Sequence, residues 1–295
     1  MKVNSILWVV ISCVLSNCSK VIEYELPYPG DQLVVYGLLT PDEAVRIRLT
    51  HTVAPLGSHP KDLSVAGAEV KLYENAHPLE TLEYAQNGIY RSPSGFRPQT
   101  GQLYSLTIRA AGFPELSTDA IEIPSQIPID SYNLVDSALI ALNEGLSAAQ
   151  LNISFTDPAA VNYYELVVET CLNMTDCEVG GNQWLLDIPE TEQQRCGFAW
   201  DRNLYFKDIC INDTPFTLKL GLETSTFTRS GPMKFKQVLI ELRHINRSYY
   251  EYLKTHLQPE DFELAFTEPQ LLYSNVKGGY GMLGAYSKSR LLIDL

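Results

Sequence analysis

The sequence is short of the patterns on which most chemistries are built. There is no GxSxG, so the nucleophile turn of many serine hydrolases is absent. There is no CxxC pair, and no two of His51, His59, His77, His244 and His256 stand four apart or near a cysteine, which removes the usual zinc spacings. No EF-hand loop is present for calcium. Basic residues are scarce: 22 Lys and Arg stand against 35 Asp and Glu, a net charge of −13, with no basic run. That balance argues against nucleic acid as a partner. One nucleotide-like pattern occurs, Gly279-Tyr280-Gly281-Met282-Leu283-Gly284. It lacks a following helix to receive a pyrophosphate, lacks an acid about 20 residues on, and leads into a strand-like Leu291–Leu295. Its glycines read as tight turns or close backbone packing. Acidic pairs such as Glu23/Glu25 and Glu260-Asp261 read as solvated surface, and spacing alone pairs no two carboxylates for glycoside chemistry. No catalytic residue, metal or cofactor is expected.

What the sequence has first is a leader. Lys2 precedes an apolar run, Ile6–Leu15, of ten residues. A bilayer-spanning helix needs about 20, so the run reads as a cleaved signal peptide. It ends in Leu15-Ser16-Asn17-Cys18-Ser19, the form of a bacterial lipoprotein signal in which Cys18 is lipidated and becomes the first mature residue. Asn17 departs from the commoner Gly, Ala or Ser. Each buried methylene contributes about 0.8 kcal/mol, so two or three acyl chains hold a domain firmly on a membrane. Ser19–Asp31, polar with two prolines and a Pro-Gly turn, reads as a tether.

Past the leader the reading is mainly β. Residues 32–123 show period-two alternation at Val45/Ile47/Leu49, Ala68/Val70/Leu72 and Tyr104/Leu106/Ile108, with Asn87-Gly88 and Gly101 as turns. About seven short strands in about 90 residues suit an immunoglobulin-like or transthyretin-like β-sandwich. Residues 124–150 read as a linker, in which Asp136-Ser137-Ala138 has the form of a short O-glycosylation pattern. Residues 151–295 read as a second β-rich domain with strands at 151–155, 164–168, 216–220 and 238–242. One short helix is expected near 249–258, with Ser248 and Glu251 at capping-box spacing, an apolar stripe of Tyr249, Leu253 and Leu257, and Pro259 as its stop.

The four cysteines outside the leader, Cys171, Cys177, Cys196 and Cys210, fall within 40 residues. An exported protein with an even count favours disulfides. Of three pairings, Cys171–Cys177 across a hairpin is favoured, leaving Cys196–Cys210. The excursion 171–210 also carries Trp184 and Trp200, which read either as filling beneath a long loop or as a ligand-binding surface.

Several stretches occur in the order of a known family: Cys18-Ser19-Lys20-Val21-Ile22 with Leu26-Pro27; Gly37-Leu38-Leu39-Thr40-Pro41; Ile153-Ser154-Phe155-Thr156-Asp157-Pro158; Tyr249-Tyr250-Glu251-Tyr252-Leu253; and Tyr273-Ser274-Asn275-Val276 running into Gly278-Gly279-Tyr280-Gly281 and Leu283-Gly284-Ala285-Tyr286. Together they resemble the Bacteroidota lipoprotein family known as domain-of-unknown-function family 4249, over essentially the whole mature chain. The resemblance implies an outer-membrane lipoprotein, facing the cell surface or, as the alternative, the periplasm. It also implies a role beside a TonB-dependent β-barrel transporter, and it carries over no catalytic residues. The leading expectation is a non-enzymatic accessory protein. A stand-alone glycan- or peptide-binding lipoprotein comes second and an exported hydrolase third.

Overall fold

A computed structural model describes residues 28–54, 60–139, 147–173, 176–179, 184–186, 195–200, 203–223, 237–256 and 272–294. Of the described residues, Asp31–Thr52 and those from Pro60 onward belong to one compact unit, and Tyr28–Gly30 with Val53 and Ala54 to another. The first holds all the strands among the described residues, and the chain is mainly β.

The first strands are β1 (Leu33–Leu39), β2 (Arg46–His51), β3 (Glu69–Glu74), β4 (His77–Gln86), β5 (Ile89–Arg91), β6 (Leu103–Arg109), β7 (Leu116–Thr118) and β8 (Ile121–Glu122). Then come β9 (Ser131–Leu139), β10 (Ser147–Thr156), β11 (Tyr163–Asn173), β12 (Asp176–Val179), β13 (Trp184–Leu186), β14 (Ala199–Trp200), β15 (Leu204–Lys207), β16 (Pro215–Glu223) and β17 (Gln237–Ile245). Helix α1 (Arg247–His256) is followed by β18 (Val276–Lys277) and the 15-residue β19 (Tyr280–Asp294).

The strands that alternation marks form where expected, because each places its branched or aromatic residues on one face. Ile47 and Leu49 of β2 are buried while Arg46 and Arg48 face out. The β4–β5 turn places Asn87 and Gly88 at φ 51° and 75°, the geometry that an Asn-Gly hairpin turn requires.

Two hydrophobic cores result. One gathers Leu33, Val35, Leu49, Val70, Leu106 and Ile108 with their neighbours from β1–β7. The other packs Leu151, Ile153, Phe155, Leu218 and Leu220 of a four-stranded sheet (β13-β16-β10-β9) on Leu166, Val168, Ile240 and Leu242 of the long sheet. A single strand serves both. Leu283 and Ala285 of β19 enter the first core, and Ile293 of the same strand enters the second.

That strand is unusual in its pairing. Nearly all the ladders are antiparallel, but β1 and β19 run parallel, with Val35 in register with Gly281. A Cβ at position 281 would overlap the Val35 carbonyl oxygen, so only glycine fits; its φ is 114°. A Cβ on Gly279 would sit 2.5 Å from the Leu33 carbonyl oxygen. The GxGxxG run is therefore a packing device along β1.

Two expectations need correction. Residues 124–150, read as a linker, contain β9 and the start of β10, and Ser137 lies in a strand. Polar residues and two prolines look like a connector, but β9 is an edge strand with one wet face. The helix cap is Asn246, not Ser248. The Asn246 Oδ1 accepts the Tyr249 N–H at 3.1 Å and the Ala285 N–H at 3.0 Å, tying the helix start to β19.

Candidate binding groove and buried charge network

In spatial order β19, β1, β2, β5 and β4 are neighbours. Their residues facing away from the first core form the floor of an open groove of about 640 Å³. Cross-strand register sets its layout. Tyr36 of β1 stands opposite Arg48 of β2, and Arg48 opposite Ile89 of β5. Two pairs along, on the same face, Arg46 stands opposite Arg91. Leu38 and Tyr286 line the end nearest β19.

Helix α1 packs beside that end. Its Tyr249 and Leu253 cluster with Ile245, Met282 and Tyr286, and Tyr252 meets the Tyr36 ring at 5.9 Å. The Tyr36 phenol has its pKa raised to about 12, chiefly by burial, so it stays neutral and able to donate.

The groove reverses the sign of the chain. Arg46, Arg48 and Arg91 line it, with Glu43 as the one lining acid among the described residues. Glu43 stands 3.5 Å from Arg46, both well exposed, a pair of small net effect. Glu83 is opposite Arg91 on β4. Among the described residues, neither Arg48 nor Arg91 makes a hydrogen bond or salt bridge, although the Arg48 charge reaches Asp62 through space. Two arginines directly opposite in a ladder repel; nothing in the packing requires them.

A second charged group lies beside the groove, built on two buried glutamates, Glu165 and Glu241. Glu165, Arg243 and Lys288 occupy one row across β11, β17 and β19, with Glu241 and Arg290 in an adjoining row on the same face. Arg243 Nη1 donates to Glu165 at 3.0 Å, and its Nε and Nη2 donate to Glu241 at 3.1 and 2.7 Å. Asn203 donates to the other Glu165 oxygen at 2.7 Å, and Lys288 to Glu241 at 3.1 Å. The Arg243 guanidinium lies 5.0 Å from the Tyr286 ring centre. Burial works against the Arg243 charge, but Glu165 and Glu241 outweigh it and raise its pKa. Burial likewise opposes ionisation of Glu241, and Arg243 and Lys288 outweigh it, so its pKa is lowered.

On the opposite face of the same strands is a third polar cluster. The Tyr164 hydroxyl donates to Asp157, and the Asn162 N–H donates to Asp208 at 2.6 Å. His244 stacks on Tyr164, with its Nδ1 2.8 Å from the Ser125 carbonyl oxygen. Burial lowers the His244 pKa against that bond. These groups tie strand ends and loops together around the second core.

The residues singled out from sequence fall elsewhere. Cys18, the lipidation candidate, lies outside the described residues. Cys196 and Cys210 form a disulfide. Cys171 is disulfide-bonded and stands opposite Cys177 in the β11–β12 ladder. Trp184 belongs to β13 of the four-stranded sheet and Trp200 to β14 of the long sheet, so the two are in different sheets. Sequence reasoning missed the groove, although its signal was present: Arg46 and Arg48 are the wet positions of the clearest alternating strand.

The chain is thus β-rich, with an open, side-chain-lined groove and a braced charge network beside it. The model of the family described as a domain of unknown function (DUF4249) matches residues 19–291, and the chain belongs to that family. No curated protein matches it. Among solved structures, the full-length major pilin SpaD from Corynebacterium diphtheriae is similar at 9% identity and a TM-score of 0.20, covering 92% of this chain and 67% of the pilin.

Proposed function

We propose that this chain is a non-catalytic lipoprotein of a Bacteroidota outer membrane, held by lipid on Cys18, that binds at the cell surface as an accessory of a TonB-dependent transporter. The observation that carries the binding role is the groove, in which two arginines make no hydrogen bond or salt bridge among the described residues, on an otherwise acidic chain. The leader supports the anchor, and the resemblance of the mature start to lipoproteins supports the compartment. Cross-linking and mild-detergent purification from native membranes test this, with a Cys18→Ala control. A β-barrel recovered in stoichiometric amount with the unaltered protein, and lost with the control, is the expected result. Recovery of the lipoprotein alone removes the transporter.

A stand-alone binding lipoprotein is the second reading. It is favoured by the completeness of the groove within one chain: floor, aromatic end wall and cations all come from β1, β2, β5 and β19. The groove serves this reading better than Trp184 and Trp200, whose strands lie in separate sheets.

A further inference from the structure

We infer that the groove over β1, β2 and β5 is a site for an acidic saccharide, one whose sugar rings carry carboxylate groups. This rests on the binding role proposed above and names its ligand class.

Three features lead to that chemistry. The cations are arginines, whose planar fork matches a carboxylate with two parallel hydrogen bonds. Arg48 and Arg91 are without hydrogen-bonding partners among the described residues, so their donors are available to a ligand. They sit in adjoining cross-strand rows, so they present two separate forks and suit a ligand that repeats its acid group.

Next to them is an aromatic surface. The Tyr36 side chain remains 40% exposed, and its neutral hydroxyl can donate to a sugar oxygen while its ring offers an apolar face. Tyr286 extends that wall towards β19.

The floor strands are also all interior. Each of β1, β2 and β5 is paired on both sides, so no open strand edge is available in the floor. An extended peptide cannot add to it as a strand, which is the usual source of main-chain affinity for peptides on sheets. Recognition here comes from side chains alone, as suits a ring bearing hydroxyls and carboxylates.

The test uses the full mature chain and calorimetric titration with tetragalacturonate. Maltotetraose serves as the neutral saccharide and tetraglutamate as the acidic peptide. Binding of tetragalacturonate is expected, weakening as salt rises, with no binding of maltotetraose. Arg48→Gln and Arg91→Gln should each weaken it at least about tenfold, the scale of a charge-assisted bidentate bond. Arg109→Gln, which removes the same charge from β6 away from the groove, should leave it unchanged. Glu43→Gln, which removes the lining acid, should tighten it severalfold, so the proposal does not depend on loss alone.

Absence of tetragalacturonate binding, or binding indifferent to Arg48 and Arg91, overturns the site. Tetraglutamate bound as tightly as tetragalacturonate also overturns it, since charge without the sugar would then suffice. The membrane purification reads the parent proposal separately. A barrel recovered without saccharide binding overturns only the saccharide, and saccharide binding without a barrel removes only the transporter.

Discussion

Arg243 and Arg48 are a few strands apart on one continuous sheet, and they differ in everything except the side chain. Arg243 is enclosed. Two glutamates take its donors, Tyr286 covers its face, and Lys288 shares the charge of Glu241. Arg48 faces an open groove and makes no hydrogen bond or salt bridge among the described residues. A charge taken out of water must be met by partners inside the protein. A charge left at the mouth of a groove is hydrated until a ligand replaces the water. The first arrangement braces the sheet where α1 lies on it, and the second leaves binding capacity in reserve. The same residue type therefore marks structure in one place and recognition in the other.

Breaking the enclosed side should have the largest effect. Arg243→Met removes the cation while keeping an apolar stem, and leaves Glu165 and Glu241 without their main partner. Glu165 is 1% exposed at its side chain, so its charge cannot be rehydrated in place. A stability loss of about 3–5 kcal/mol is expected from urea unfolding. A loss below about 1 kcal/mol would mean that the enclosed network is not a brace, and the contrast with Arg48 would fail.

The contrast also predicts acid sensitivity. The lowered pKa of Glu241 means that its contribution is fully present above its unfolded value, 4.5, and is lost as pH falls through the folded value. His244, on the opposite face, has its pKa lowered from 6.5 by burial. It stays neutral when folded while the unfolded chain takes up a proton, so stability should begin to fall below about pH 6.5. Two acid limbs are expected in unfolding free energy against pH. His244→Gln should remove the upper limb, and Glu241→Gln should reduce the lower one, to which Asp62 and Glu69, also lowered, contribute.

The two arginines were unequally legible in the sequence. The alternation of Val45, Ile47 and Leu49 with Arg46 and Arg48 sets those arginines on a wet face, because a strand has period two. It does not say that Arg91 stands opposite Arg46, or that β19 and α1 lie at one end. The first depends on β5 pairing with β2, and the second on β1 pairing parallel with β19, neither of which a local pattern records. The Arg243 network was hidden for the same reason: its bond to Glu165 joins residues 78 apart. Local signals were recovered where the partner was local. The Asn87-Gly88 turn is one case, and Cys171 opposite Cys177 across a hairpin is another. The helix cap lies between these cases, since Asn246 holds both the first turn of α1 and a distant strand.

Tyr286 belongs to both environments, since its ring lies over Arg243 and it lines the groove. Tyr286→Leu keeps most of the apolar packing and removes the ring face. A stability loss of about 0.5–2 kcal/mol is expected for the lost cation–ring contact. Saccharide affinity should fall in the same variant, because the end wall loses its aromatic surface. If stability falls and affinity does not, Tyr286 serves only the buried side.

The smallest expected effect is the sharpest on the comparison. Arg48→Gln with Arg91→Gln removes two charges from the groove, yet nothing inside the protein relies on them. Surface changes of this kind shift stability by no more than about 0.5 kcal/mol. Relief of Arg46, which faces position 91 on one side, is offset by Glu83, which faces it on the other. Urea unfolding of the double variant against Arg243→Met puts the two kinds of arginine on one scale. A double variant that loses more than about 1 kcal/mol would make the groove arginines structural and remove the reason for reading them as a site. A double variant that keeps its stability while losing tetragalacturonate would separate holding the fold from holding a ligand, at two places on one face of a sheet that differ in what surrounds the guanidinium.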